Sequence, residues 1–449
     1  MIKKRGVTIV LVDPNNATSN IYIYDDNVIT AEITQEISEL ASELPISNFT
    51  LKLKNIVNII NEFAIDRLVQ LWLDGRLRMV ANIVSVRKDD YNAWTVEGED
   101  YISKLDKTVW YGREYGIKRN DTALTDKYLN ITATELLKEI FTSAGVPYII
   151  DESFDKIKVV GELGITTCRD AVLNICFAAG AICDTSSTPE YVHIRKLSNS
   201  KELEIDPGRV YGDVKVTTPD KVSRVGVVAY NKRGQNAIEK EKIEETERTG
   251  WETGDVFEYF FTTPRTSYGL YWINSEGKEV QRAGFKVLDS SLYHLKWRYV
   301  SNSQPNVNAY IKAYNLLSET NGEVKWEVID DDPNGSEILV DTATLVNKDN
   351  VQEVLSRISK AAKNNTTVTC KIATRRGTPY DFLYKYGEAK YAEINYGQAK
   401  KEDEWLDNEV ELGDMLTLEI PNHGKITKRL VRQKYTLGNG ILVKECTLK

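Results

Sequence analysis

From Phe49 to Lys54, and again from Ala93 to Glu99, apolar residues return at every second position. Phe49, Leu51 and Leu53 fall on one side of an extended chain, and Thr50, Lys52 and Lys54 on the other. That alternation marks a half-buried strand. Two longer apolar runs follow, Arg67 to Leu73 and Leu77 to Arg87, with Asp74-Gly75 between them. An Asp-Gly pair suits a type I′ turn, which needs positive φ at both central positions. Lys88-Asp89-Asp90 reads as the next turn, and Ala93 to Glu99 alternates again with Trp94 and Val96 inward. Such a meander must curl into a small barrel or pack as a sandwich to cover its apolar face.

The rest of the chain surrounds that meander. Val7 to Val12 and Asn20 to Tyr24 form a first hairpin around Asp13-Pro14-Asn15-Asn16. After Gly112 the period changes. Thr132-Ala133-Thr134-Glu135 is a capping box, Leu136, Leu137, Ile140 and Phe141 are a helical stripe, and Gly145 ends it. The pattern returns at a fixed offset. Thr132 maps to Thr167, Glu135 to Asp170, Ile140 to Ile175 and Gly145 to Gly180. The reading is a small α/β module of two similar units, with strands at Val146 to Ile150, Ala181 to Cys183 and Tyr191 to Leu197.

Strands resume at Val210 to Val216 and Lys221 to Tyr230. The mixed-charge run from Glu239 to Arg248 reads as a solvated loop. Trp251 to Tyr299 is aromatic-rich and implies short strands. Asp349-Asn350 opens a helix with Val351, Val354, Leu355 and Ile358 on one stripe, ending at Asn364-Asn365; a strand follows at Thr366 to Ala373. Glu411 to Ile420, Ile426 to Thr436 and Ile441 to Leu448 close the chain as a meander. The expected fold class is α+β, mainly β. Residues 1–112 and 201–449 hold β structure around an α/β module at 113–200. The second part divides into β strands at 201–300, a helix-bearing segment at 301–380, an arm or loop at 381–404 and closing strands at 405–449.

The 449 residues allow two to four domains. A net charge of −8 argues against a general nucleic-acid binder, because phosphate contacts need Lys and Arg. Met1 to Arg5 imitates the start of a signal peptide, but the apolar run after it stops at Asp13-Pro14, so neither a standard signal nor stable membrane insertion is expected. The five cysteines form no CxxC pair, and buried free thiols in a reducing compartment are the expectation.

Chemistry-bearing patterns are weak. The histidines His193, His294 and His423 are far apart in sequence. Asp330, Asp332, Asn334 and Asp341 fit a loose calcium loop, but strand context and Pro333 favour a plain turn. Glu97, Glu99 and Asp100 cluster at a strand end and read as solvated charges. Lys425, Lys428, Arg429, Arg432 and Lys434 make a basic strand, read as a charge-guarded edge ahead of a nucleic-acid or acidic-partner face. The aromatic block reads as core or subunit interface ahead of a sugar-stacking platform. No catalytic, cofactor-binding or metal residues are assigned, and no cofactor is expected.

One resemblance runs through these segments. ITAEITQEISELASELPISNFTLKLKN, LWLDGRL and WTVEGEDYISKLDKTVWYG resemble the opening of tail hub proteins from phages and phage-tail-like particles of Gram-positive bacteria. TTCRDAVLNICFAAGAICDTS, ILVDTATLVNKDNVQEVLSRI and LGDMLTLEI resemble later stretches of the same family, in order. That family is similar to the baseplate hub of contractile tails and the hub part of type VI secretion spikes. The resemblance implies two tail-tube-like barrels per chain and a homotrimeric ring whose six barrels face the tube. Its implied partners are the tube or its distal initiator, a tape measure protein, a central spike or tip, and other baseplate proteins. It implies a non-enzymatic part of a virion or tail-like particle, assembled in the host cytoplasm. A peptidase or fibre-like extension after the hub-like part, as in many longer tail-tip proteins, is not expected. A tail-tip cell-wall hydrolase and a carbohydrate-binding receptor module are the alternatives.

Overall fold

The computed structural model describes the chain apart from residues 1–5, 14–18, 55–61, 91–92, 118–127, 198–200, 206, 235–238, 283, 301–307, 316–317, 331–334, 342–343, 373–409, 421–422 and 439–440. The arm expected at 381–404 lies outside the described residues.

The first strands are β1 (Val7–Leu11), β2 (Ile21–Tyr24), β3 (Val28–Glu36), β4 (Asn48–Lys54), β5 (Leu68–Leu73), β6 (Arg76–Asp90) and β7 (Ala93–Glu99). They lie in the order β3-β4-β7-β6-β5-β1-β2. Asp74 and Gly75 have φ of 51° and 79°, as a type I′ turn requires. The Asp74 carboxylate accepts from the Gly6 amide at 2.7 Å, which ties the turn to the start of β1. The turn expected at Lys88 to Asp90 is strand instead. Thr95 donates to the Asp89 carboxylate at 2.6 Å, so Asp89 is held across the ladder, and β6 pairs with β7 until Asp90 faces Ala93. Phe49, Leu51, Leu53, Leu71, Ile83 and Val96 are buried in this lobe's core.

The module carries α1 (Ile102–Asp106), α2 (Ala133–Ala144) and α3 (Cys168–Ala179). Both halves of the capping box form on α2: the Thr132 hydroxyl accepts from the Glu135 amide, and the Glu135 carboxylate accepts from the Thr132 amide. Thr167 caps α3 through the Asp170 amide at 3.1 Å. Gly145 and Gly180 end the helices at φ of 63° and 70°. The two units then diverge. Strand β8 (Tyr148–Ile150) runs parallel to β10 (Val192–Lys196), whereas β9 (Ala181–Asp184) runs antiparallel to it.

The remaining strands of the frame are β11 (Val210–Thr217), β12 (Val222–Gly234), β13 (Ser318–Val328), β14 (Ser336–Val340), β15 (Thr367–Ile372), β16 (Met415–Ile420), β17 (Gly424–Gly438) and β18 (Ile441–Leu448). Helix α4 (Val351–Lys363) packs on β12 and β13 and reaches beyond them to the module. Val354, Leu355 and Ile358 share one core with Leu136, Ile140 and Ile175 of the module and with Val225 and Val227 of β12. Arg357 of α4 donates to the Phe177 carbonyl in the last turn of α3 at 2.6 Å, where a cation also meets the negative end of the helix dipole.

The two β-rich blocks are not separate sheets. The path runs β11-β15-β18-β17-β3-β4-β7-β6-β5-β1-β2, with β16 also paired to β17. β17 faces β3 from Arg432↔Glu36 to Gly438↔Thr30. Its fifteen residues serve two cores: Tyr435 and Leu437 join the first, and Leu430 and Val431 join a second with Val368, Cys370, Leu416 and Cys446. Two closed barrels, as the resemblance implied, are not seen in the pairings of the described residues. The chain is mainly β, with two β cores bridged by one long strand.

The described residues between 240 and 315 build a separate aromatic core. Trp251, Trp297, Tyr299 and Leu295 are fully buried between two small sheets. This corrects the mixed-charge loop: Lys240–Arg248 is a strand paired with Ala309–Asn315. Ile243 and Thr246 point inward, and the Thr246 hydroxyl accepts from the Ile311 amide at 2.9 Å. Its charges lie on the outer side of an edge strand, with Lys242 reaching Glu247 at 2.7 Å, and they guard that edge.

Candidate assembly surface

The residues singled out for chemistry are structural or apart. Asp330 lies 3.5 Å from Lys221, whereas the Asp341 carboxylate accepts from the Tyr230 hydroxyl at 2.6 Å. The five residues of β14 separate them, a span of roughly 16 Å in extended chain. They cannot close on one calcium ion; Asp332 and Asn334 lie outside the described residues. His193 pairs with Asp151 and His294 with Glu258, each at 2.8 Å, on different lobes. Among the described residues no group of three His, Cys, Asp or Glu side chains could hold a metal. A cavity of about 10 Å³ between Ile175, Ala179, Val159 and Leu345 has room for one water and no substrate.

The basic strand is neither an edge nor a free face. Arg429 reaches Glu39 at 3.1 Å, Arg432 reaches Glu36 at 3.8 Å, and Lys434 reaches Glu32 at 2.9 Å. Lys428 is buried and donates to the Asn364 carbonyl at 2.7 Å, and Lys425 pairs with Glu204. The charges of β17 are answered by the carboxylates of β3 and its neighbours. Between them Gln433 donates to Gln35 at 2.8 Å, in the buried part of the ladder.

Asp100 departs most from expectation. It is buried, and it joins the first lobe to the module. It accepts from the Ser47 amide (3.1 Å), the Ile102 amide (3.0 Å) and the Thr185 hydroxyl (2.7 Å). Burial pushes its carboxyl up to about 6, with these hydrogen bonds opposing the rise. Glu97 and Glu99 sit on the other, half-exposed face, with Glu97 3.9 Å from Arg87. A second joint forms where Arg195 donates to Asp184 at 3.0 Å and also to the Leu412 carbonyl. Such satisfied buried polar contacts hold the lobes in one arrangement.

One surface is unlike the rest. Among the described residues the sheet β13-β12-β14 is covered on one side by α4 and bare on the other. On the bare side stand Val324, Trp326 and Val328 of β13 and Leu339 of β14, with Trp326 41% and Val328 63% exposed. The alternation of β13 is inverted. Its charged residues Lys325 and Glu327 lie on the half-buried side, with Glu327 3.7 Å from Lys363 of α4, while its apolar residues face out. Trp326 rests on Gly226, where an added Cβ would come within 2.7 Å of the indole. The Arg224 guanidinium lies over the indole with Cζ 4.5 Å from the ring centre, and pairs with Glu337 at 2.7 Å. A Trp–Arg centre with apolar neighbours and a charged rim has the make-up of a protein–protein interface core. Sequence reasoning did not single out Trp326, although Val-Lys-Trp-Glu-Val shows the alternation.

No protein-family model matches the chain, and no curated protein matches it. Among solved structures, the tail protein from Neisseria meningitidis MC58 aligns over 99% of this chain and 96% of its own, with a TM-score of 0.50 and 10% identity. The chain shares that tail protein's fold. The 43 kDa tail protein of prophage MuSo2 from Shewanella oneidensis aligns over 99% and 98%, with a TM-score of 0.49 and 7% identity. The prophage tail protein gp18 from Listeria monocytogenes aligns over 98% and 94%, with a TM-score of 0.43 and 10% identity. On this tail-protein fold the aromatic block contributes chiefly an internal core, since Trp251, Trp297 and Tyr299 are buried. Among the described rings of that block Phe260 is the most exposed large one, and it packs with Tyr111, which follows α1, against His294.

Proposed function

We propose that this chain is a structural hub of a phage tail or tail-like particle, acting by assembly without turnover. Three copies close a ring at the distal end of the tail and surround its channel. The observation that carries this reading is the fold shared with a tail protein along nearly the full length of both chains. Two β cores bridged by β17 supply two lobes per chain and six per ring, a number that adapts a six-fold tube to a three-fold tip. Each lobe takes the part of a tube-like barrel. A closed ring does not polymerise further. The tube or its initiator, the tape measure protein, the tip and other baseplate proteins are its partners, and it resides in the virion or particle after assembly in the host cytoplasm.

The bare face of β13-β12-β14 is the surface offered to a neighbour in this ring. Internal pairing of the basic strand removes the main candidate for nucleic-acid binding. Electron cryomicroscopy of the whole particle tests the proposal. Three copies per ring with superposable β lobes are expected; six copies, or lobes that do not superpose, overturn it. A peptidoglycan zymogram is expected to stay uncleared, and clearing would favour the hydrolase.

A further inference from the structure

Cys176 lies in the last turn of α3 and Cys183 lies in β9, on the far side of the Gly180 reversal. Their Sγ atoms are 3.8 Å apart. Both thiols are buried, at 0% and 5% exposure. The reversal between them is fixed: the Gly180 amide donates to the Cys176 carbonyl, and Gly180 sits in the left-handed region. Two sulfurs that merely fill core space have no need to face each other. A disulfide needs an S–S separation of about 2 Å, so the sulfurs must approach by somewhat under 2 Å from where they rest.

We propose that Cys176 and Cys183 form an oxidative modification site, a buried dithiol that hydrogen peroxide converts to a disulfide locking the end of α3 to β9. In the first step one cysteine sulfur attacks a peroxide oxygen. The O–O bond breaks, a sulfenic acid forms, and the released hydroxide takes the thiol proton to leave as water. In the second step the other sulfur attacks the sulfenic sulfur. The S–S bond forms, the S–O bond breaks, and the departing hydroxide takes the second thiol proton as water. Two thiols are oxidised by two electrons and one peroxide is reduced to two waters.

The surroundings set the oxidant and the pace. Burial, the facing Cys176 thiol and the Asp100 and Asp184 carboxylates push the Cys183 thiol well up. It stays protonated, the reaction is slow, and the pair remains reduced during assembly in a reducing compartment. Peroxide is nearly as small as water, whereas a glutathione disulfide cannot enter a core. The other facing pair is a comparison within the same chain. Cys370 lies directly opposite Cys446 in the β15–β18 ladder. Such pairs hold their Cβ atoms about 4.5–5.5 Å apart, wider than the roughly 3.8 Å of a disulfide, and ladder pairing on both sides resists closure.

The test uses the full chain in its native state, treated with hydrogen peroxide or with oxidised glutathione, quenched with catalase, denatured and alkylated. Trypsin leaves both cysteines in one peptide, Asp170 to Arg195. After peroxide that peptide is expected to weigh two hydrogens less and to refuse the alkylating label until reduced, while Cys168, Cys370 and Cys446 are labelled. Glutathione disulfide is expected to leave all five labelled. The Cys183→Ser and Cys176→Ser chains are expected to show no internal link. Full labelling of Asp170 to Arg195 after peroxide, sulfinic or sulfonic products there without a link, or a preferential Cys370–Cys446 link overturns the proposal. The unsubstituted chain carries the decisive measurement, so a variant that fails to fold does not affect it.

Discussion

Gly98 in β7 offers a sharp test of how the first lobe is packed. Phe49 faces it across the β4–β7 ladder, and the ring fills the space where a Cβ would stand. A Cβ built there would sit 2.2 Å from Phe49 Cε1, 2.5 Å from Cζ and 2.7 Å from the Asn82 carbonyl oxygen. Ordinary contact begins near 3.4 Å, so the ring overlap is 3.4 − 2.2 = 1.2 Å. Phe49 is itself buried and can only retreat into Leu51, Val96 and their neighbours. The Asn82 carbonyl belongs to the β6–β7 ladder and can move only by breaking pairing. Overpacking a close-packed core typically costs about 1–3 kcal/mol, and two simultaneous clashes place Gly98→Ala at about 3 kcal/mol. Amide hydrogen exchange across β4, β6 and β7 reads this locally. At about 1.4 kcal/mol per tenfold, protection should fall roughly a hundredfold. Adding Phe49→Leu removes the ring overlap and leaves the carbonyl contact, so it should restore part of the loss. A change under about tenfold, or no interaction between the two substitutions, would refute the packing argument.

The pH dependence of the lobe–module joint has a definite sign. The Asp100 carboxyl is raised in the folded chain to about 6 from an ordinary 3.8, so its stabilising contribution is complete below the ordinary value and is lost as pH rises through about 6. A carbon NMR titration of that carboxyl should show its midpoint near 6, and a midpoint at or below 4 would contradict the burial argument. Ile175→Asp places an unpaired charge in the core shared by α2, α3 and α4 and should destabilise the module by several kcal/mol; an unchanged thermal melt would remove that core assignment. Val328→Ser with Leu339→Ser should leave the isolated chain's melting temperature within about a degree or two, since more than half of each residue is already exposed, while reducing incorporation into particles; normal incorporation would clear the face of an assembly role. Calorimetry should detect no micromolar calcium binding, because β14 separates Asp330 from Asp341.

Local features were legible in the chain itself. The Asp74-Gly75 turn, the Thr132–Glu135 capping box, the Gly145 and Gly180 helix ends and the α4 stripe depend on contacts a few residues apart. Their signatures therefore survive in short stretches of sequence. The signal for the main long-range pairing was also present but unread. Glu32, Glu36 and Glu39 near β3 mirror Arg429, Arg432 and Lys434 on β17, and charge complementarity across some four hundred residues is what a strand-by-strand reading passes over.

Other features were decided only in three dimensions. Period two says that a strand has two faces but not which face another element covers. In β13 the helix takes the Lys325 and Glu327 side and leaves Trp326 bare. The run from Lys240 to Arg248 is charged enough to be a loop, yet a neighbouring strand and a buried Thr246 make it part of a sheet. Asp100 looked like a solvated charge because burial is a property of what packs on a residue, here Ser47 and Thr185 from distant segments. The sequence by itself set the turns, caps and periods; the tertiary structure set which faces meet, because burial and ion pairing join residues that chain proximity does not.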